Sequence, residues 1–208
     1  RKGVELRLNA RIAAIDGDGV HLADGALLPA DLVVAGVGMI PNTELAQTAG
    51  LPVDDGILTT ASGQTSDPGV FACGDVSVYH HPRLGRRLRL ESWENAQNQA
   101  IACANAVLGQ PTAEPAAPWF WSDQYGINIQ IVGTLPIEAA IVTRGDPWTG
   151  KGSWHALADG RLVGVVAMNA TRDIRAARRL IEARLPVDRS AIADTSVDLR
   201  ALASAKTL

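Results

Sequence analysis

The residues best placed to do chemistry are Gly74 and Asp75. They follow a turn, Asp67-Pro68-Gly69, and a short apolar run, Val70 to Cys73, that reads as a buried strand. A glycine at the end of such a strand lets the backbone come close to a ligand. The carboxylate beside it can accept hydrogen bonds from sugar-type hydroxyls. A second candidate is Ser92, a good N-cap for a helix running to Leu108, with Gly109 as its stop. A helix N-terminus carries unpaired N–H groups and about half a positive charge, so it suits an anion. A third is the aromatic run Trp119-Phe120-Trp121. It packs either a domain interface or a ligand, because three large aromatics are costly to expose.

The elements that position these residues follow from periodicity. Val4 to Leu8, residues 11–16 and Val20 to Leu22 alternate like strands, with turns at Asp16-Gly17-Asp18-Gly19 and Asp24-Gly25. Leu27 to Pro29 follows. Residues 31–38 are apolar without alternation, which predicts a strand buried on both faces. That run ends in Gly36 and Gly38, as strands do where their edge lies against a ligand. Asn42 to Gly50 reads as a short helix and Gly56 to Thr60 as a strand. Residues 79–89 form a basic loop or hairpin.

In the Ser92 helix, Trp93, Ala96, Ala100, Ile101, Ala104, Val107 and Leu108 share one stripe. Pro111 to Pro118 is a linker by composition. Beyond it, strands are expected at residues 127–132, 139–143, 153–158 and 162–168, the last two joined by Asp159-Gly160. A helix capped by Thr171 then carries Ile174, Ala177, Leu180 and Ile181 on one face. The predicted fold class is α/β, followed by an α+β domain of three or four antiparallel strands and a helix.

Composition bounds the function. The chain has 208 residues, 47% hydrophobic and 20% charged, enough to bury a core. No apolar run reaches the roughly 18 residues of a membrane span. A net charge of −3 gives no reason to expect nucleic acid. Cys73 and Cys103 form neither a CxxC pair nor a zinc pattern, and His80-His81 fits no usual zinc spacing. A cytosolic setting fits. The chain opens without Met and inside a strand-like pattern, which reads as the start of a domain fragment.

The stretch from Thr65 to Asp75 resembles the second flavin motif of the two-dinucleotide-fold flavoprotein reductases, T-S-x-P-x-V-x-A-x-G-D. Val37 to Asn42 resembles that family's G-x-x-P-N return from the NAD domain to the FAD domain. Arg89 to Gln99 resembles its R-x-E-S-x-x-N-A-x-x-Q helix start. The segment Pro118 to Tyr125 is similar to the P-x-F-W-S-D-Q stretch of the putidaredoxin reductase type, which serves Rieske-type oxygenases and P450 systems. The resemblance covers essentially the whole chain.

It implies domains at residues 1–35 (end of the NAD domain), 36–115 (FAD domain) and 116–208 (reductase C-terminal domain). It implies FAD held by Gly74, Asp75, Glu91, Ser92, Trp93 and Trp121. Gly36, Gly38 and Glu91 then lie on the NADH side. The resemblance also puts Trp121 near the redox-partner surface. Separately, Arg83, Arg86, Arg87 and Arg89 form one basic cluster and the arginines at 172, 175, 178 and 179 another; each reads either as a solvated face or as a docking patch, with Arg83, Arg86 and Arg87 beside Trp121, for an acidic ferredoxin. The implied activity is an oxidoreductase passing electrons from NADH through FAD to an iron–sulfur protein, with no catalytic acid, base or nucleophile on the protein.

Neither glycine-rich nucleotide fingerprint, G-x-G-x-x-G, occurs in the chain. Alone it is therefore expected not to bind NADH and to bind FAD poorly. Three readings stay open: a ferredoxin reductase, the same fold with rubredoxin or a quinone as acceptor, and a non-catalytic module that presents its C-terminal domain to a partner. The NADH preference comes from the resemblance, and a homodimer is compatible with it.

Overall fold

A computed structural model describes residues 3–204 and divides the chain into two compact units, Arg1–Ile40 and Pro41–Leu208. The first unit is a three-stranded antiparallel sheet of β1 (Ile12–Asp16), β2 (Gly19–Leu22) and β3 (Leu27–Pro29). Both turns form as expected. The Asp16 carboxylate accepts from the Asp18 N–H at 2.9 Å, and Asp24 from the Ala26 N–H at 3.0 Å. Two other expectations fail. Val4 to Leu8 forms no strand, and neither does the apolar run at 31–38. That run is not buried either: Val34 is 84% exposed and Val37 90%. A strand satisfies its backbone only by pairing, and no ladder partner for either run exists among the described residues.

The second unit begins with α1 (Glu44–Thr48). Its N-cap is Thr43 rather than Asn42, and Gly50 closes it in the left-handed region at φ 73°. A small sheet follows, ordered β4-β5-β6, from Ile57–Thr59, Ser77–His81 and Arg86–Leu88. β4 and β5 are parallel, whereas β5 and β6 form the expected basic hairpin. The strand expected at residues 70–73 is reduced to one bridge, Gln64 to Phe71. The buried strand lies after Asp75, at Ser77–His81, where Ser77, Val78 and Tyr79 are all buried.

Helix α2 (Trp93–Val107) starts at Ser92 as the sequence predicts. Its expected core stripe is a correction. Trp93, Ala100, Ile101, Ala104, Val107 and Leu108 are exposed, and the seated positions are Gln99 and Cys103. Apart from Trp93, which meets Trp121, the stripe stays exposed, so helical periodicity alone could not say which face would be covered.

The C-terminal part is a five-stranded antiparallel sheet ordered β7-β8-β11-β10-β9, from Trp119–Gln124, Ile127–Gly133, Arg161–Met168, Lys151–Ala158 and Ala140–Asp146. It has one strand more than expected, because the aromatic run is itself the edge strand β7. In a strand, residues 119 and 121 share a face and Phe120 takes the other, and the two tryptophan rings stack at 4.8 Å.

Helix α3 (Thr171–Ala183) covers the sheet with Ile174, Ala177, Leu180 and Ile181, the predicted face. Thr171 is its first residue rather than its cap. Two short helices, α4 (Arg189–Ala193) and α5 (Leu199–Ser204), complete the core through Ile192 and Leu199. Buried Arg144 on β9 ties this tail down by donating to the carbonyls of Ile192, Asp194 and Val197, while its Nε binds Asp173 at 3.1 Å. The fold is mixed α/β with an antiparallel C-terminal sheet and helix, the class read from the sequence.

Residues 111–116 take no regular structure, yet they are pinned. Arg83 donates to the Pro115 carbonyl and to Glu114, His81 Nε2 lies 3.1 Å from the Ala116 carbonyl oxygen, and the Ala117 N–H donates to Glu182.

Candidate functional site

The first turns of α2 gather most of the residues singled out above. Ser92 Oγ accepts from the Asn95 N–H at 3.3 Å, which fixes where the helix begins. The Asn95 side chain holds the incoming chain by donating to the Leu90 carbonyl at 2.9 Å. The N–H groups of Trp93 and Glu94 have no acceptor among the described residues. Together with the helix dipole they form an electropositive end open to an acceptor.

One turn further on, α2 seats against the Gly74 turn. The Gly74 N–H donates to Gln99 Oε1 at 2.7 Å, and the Ser77 hydroxyl donates to the same oxygen at 2.8 Å. Gly74 has φ 80°, and a Cβ there would lie 3.7 Å from that of Ala96. Its need for glycine is therefore conformational rather than steric. Asp75 is exposed, and its carboxylate makes no hydrogen bond among the described residues. Arg89 crosses the entrance, donating to the Asp75 carbonyl at 3.4 Å, to Glu91 at 2.5 Å and to Asp55 at 3.3 Å. This network orients Glu91 beside the start of α2.

On the other side Trp121 meets Trp93 edge to face, centroids 6.1 Å apart, and stacks on Trp119. Trp119 is itself held by its Nε1–H donating to Gln130 at 3.2 Å. Arg178 on α3 pairs with Glu94 at 2.9 Å and with Glu182, joining α3 to the same turn. The Gly74 turn, the open helix end and the tryptophan pair thus gather along the first two turns of α2.

The remaining predicted residues fall elsewhere. Gly36 and Gly38 lie in the first unit, in the exposed run. Arg83 is half-buried and engaged by Glu114 and the Pro115 and Glu182 carbonyls, so its guanidinium is spent on the fold. Arg86 and Arg87 are exposed, and only Arg87 approaches an acid, Asp54 at 3.9 Å. Sequence reasoning missed Gln99 and Arg89 as organisers. Gln99 was legible as the α2 residue seven beyond Ser92, on the face of Ala96.

The geometry fits a flavin: a carboxylate for ribityl hydroxyls, a glycine turn for close approach, and unpaired N–H groups for a pyrimidine carbonyl. Comparison with known proteins defines the class. The pyridine nucleotide-disulphide oxidoreductase family matches residues 1–100, and the reductase C-terminal family matches residues 119–203. Along nearly its whole length the chain is thus similar to pyridine nucleotide-disulphide oxidoreductases followed by a reductase C-terminal domain.

Among particular relatives, it is 44% identical over 189 residues to the ferredoxin–NAD(+) reductase component of the anthranilate 1,2-dioxygenase system of Burkholderia cepacia, covering 90% of the chain and 47% of that protein. The putidaredoxin reductase in its covalent complex with putidaredoxin is similar at 38% identity and a TM-score of 0.91, over 98% of the chain and 51% of that one. The ferredoxin reductase for the CYP199A2 system of Rhodopseudomonas palustris matches at 37% identity and a TM-score of 0.89, over 97% and 51%. The chain spans about half the length of the relatives it matches.

Proposed function

We propose that the chain supplies one side of an FAD site in a reductase that carries electrons from NADH to a ferredoxin. The observation that carries this reading is the convergence of the Gly74–Asp75 turn, the open Ser92-capped end of α2 and Trp121. When bound, FAD would supply hydride acceptance and one-electron release. The protein's part is to bind and orient. Asp75 accepts from ribityl hydroxyls. The Trp93 N–H, at the positive end of α2, donates to the flavin pyrimidine edge and favours its reduced, negatively charged form. Glu91, held by Arg89, borders the nicotinamide side, and NADH is the ligand that the motif likeness assigns to Gly36 and Gly38. Trp121 shields the flavin from water on the side where a ferredoxin docks.

Docking falls to the exposed Arg86 and Arg87 with Trp121, and the names of two relatives, which join reductase to ferredoxin or putidaredoxin, support such a partner. The exposed face of α2 and the apolar run at 31–38 are where the rest of a whole reductase would pack. No helix among the described residues is long and apolar enough to cross a membrane, and a cytosolic setting belongs to this reading. The test is flavin content: in the whole protein, Asp75→Ala should purify with FAD occupancy reduced about tenfold or more, the loss of one or two charge-assisted hydrogen bonds. Unchanged occupancy would remove Asp75 from the site.

A further inference from the structure

Arg178 stands apart from the arginines around it. Arg172, Arg175 and Arg179 on α3 are exposed, whereas Arg178 is half-buried and turned to α2. Its Nη2 lies 2.9 Å from Glu94 Oε1, and its Nε donates to Glu182 Oε1 at 3.1 Å. Only 28% of the Arg178 side chain and 19% of the Glu94 side chain are accessible, so solvent screens the pair less than an ordinary surface pair. Glu182 is fixed in turn. Its carboxylate accepts from the Ala117 N–H at 3.3 Å, and its carbonyl accepts from Arg83 at 2.7 Å. The guanidinium is therefore held between α3 and the start of α2.

Glu94 is the second residue of α2, in its first turn. It directly follows Trp93, whose N–H faces the flavin in the site proposed above. A carboxylate there suits the helix dipole, but it opposes any negative charge that the same helix end receives. Arg178 supplies the compensating charge.

We propose that Arg178 is a positioning residue that tunes the redox site from the C-terminal sheet's covering helix: by pairing with Glu94 it keeps the open end of α2 positive and so favours the reduced, negatively charged flavin. The inference rests on the FAD reading above. Removing the guanidinium leaves Glu94 unpaired at that end, and the reduced form becomes harder to reach. Removing the Glu94 charge does the opposite. Removing both leaves the local charge balance as it was.

The test compares the whole protein as wild type, Arg178→Gln, Glu94→Gln and the double variant, with flavin content and the two-electron midpoint potential of the bound flavin as readouts. Arg178→Gln should lower the potential by about 30 mV, a tenfold change in a two-electron equilibrium. Glu94→Gln should raise it, and the double variant should return most of the way to wild type. A purely structural role for Arg178 leaves the double variant as low as the single one, and that result overturns the proposal, as do equal potentials in all four proteins. If Arg178→Gln does not accumulate, Glu94→Gln decides alone: an unchanged or lowered potential overturns the proposal. A wild type that purifies without flavin overturns the FAD reading and the proposal together, whereas a flavin whose potential ignores both charges overturns the proposal alone.

Discussion

Single residues set the shape of the Gly74 turn, and two of them make clear predictions. Gly63 is buried at φ 78°, with Cys103 Sγ and the Ala72 carbonyl where a side chain would go. Gly63→Ala should therefore destabilise the chain by about 3 kcal/mol or more, read from denaturant midpoints, because neither backbone carbonyl nor buried thiol can move away cheaply. A loss under about 1 kcal/mol would mean that the loop is looser than described. Gln99 accepts from two donors at once, the Gly74 N–H and the Ser77 hydroxyl. Gln99→Leu leaves the Gly74 N–H unpaired, whereas the Ser77 hydroxyl can still donate to the Gly74 carbonyl at 3.2 Å; the loss should be about 1–3 kcal/mol, read from denaturant midpoints. At this scale the sequence was legible where chemistry follows from type and spacing: Gly74, Asp75 and the Ser92 cap. It was not legible for Arg89, whose bonds to Asp55, Glu91 and the Asp75 carbonyl join segments far apart in sequence.

At the scale of elements, β9 and β10 carry a buried polar pair that should make stability depend on pH. His155 on β10 is fully buried with its Nε2 2.9 Å from Ser153 Oγ. Burial, with a smaller contribution from Arg144, holds its pKa down at about 4, against an ordinary value of 6.5. The unfolded chain therefore takes up a proton as pH falls through about 6.5, whereas the folded chain resists until about 4. Stability should fall across that window, by at most about 3 kcal/mol, and be flat in this group above it. His155→Gln should remove that portion of the acid loss, measured as the change in denaturant midpoint between pH 7 and pH 4.5. Equal acid loss in both proteins would count against it.

Arg144, beside it, binds three carbonyls of the tail and Asp173. Arg144→Met should cost about 3–5 kcal/mol and expose residues 189–204 to proteolysis, because it strands buried acceptors. Elements were legible where burial and periodicity coincide, as along α3. They were illegible where a run such as 31–38 has every property of a buried strand except a neighbour to pair with.

At the scale of the whole molecule, the chain holds the Thr65–Asp75 motif, the α2 start and the five-stranded C-terminal sheet, and its sequence carries no glycine-rich nucleotide fingerprint. The 208 residues purified alone should therefore neither oxidise NADH nor retain FAD through gel filtration, and a yellow, NADH-oxidising preparation would overturn that expectation. The C-terminal domain was legible as strands and a helix. Its β7 strand was hidden because Trp119, Phe120 and Trp121 are apolar on both faces, which masks the alternation of a strand.

The most direct test of the account is NADH-dependent reduction of a [2Fe–2S] ferredoxin by the product of the complete reading frame that encodes this chain, beside its Trp121→Ala variant. The account predicts a flavoprotein that reduces both ferredoxin and ferricyanide. The variant should keep ferricyanide reduction while losing ferredoxin reduction by about tenfold or more, the scale of an aromatic interface anchor. A colourless product that leaves NADH untouched, or a variant that reduces ferredoxin at the full rate, would contradict it.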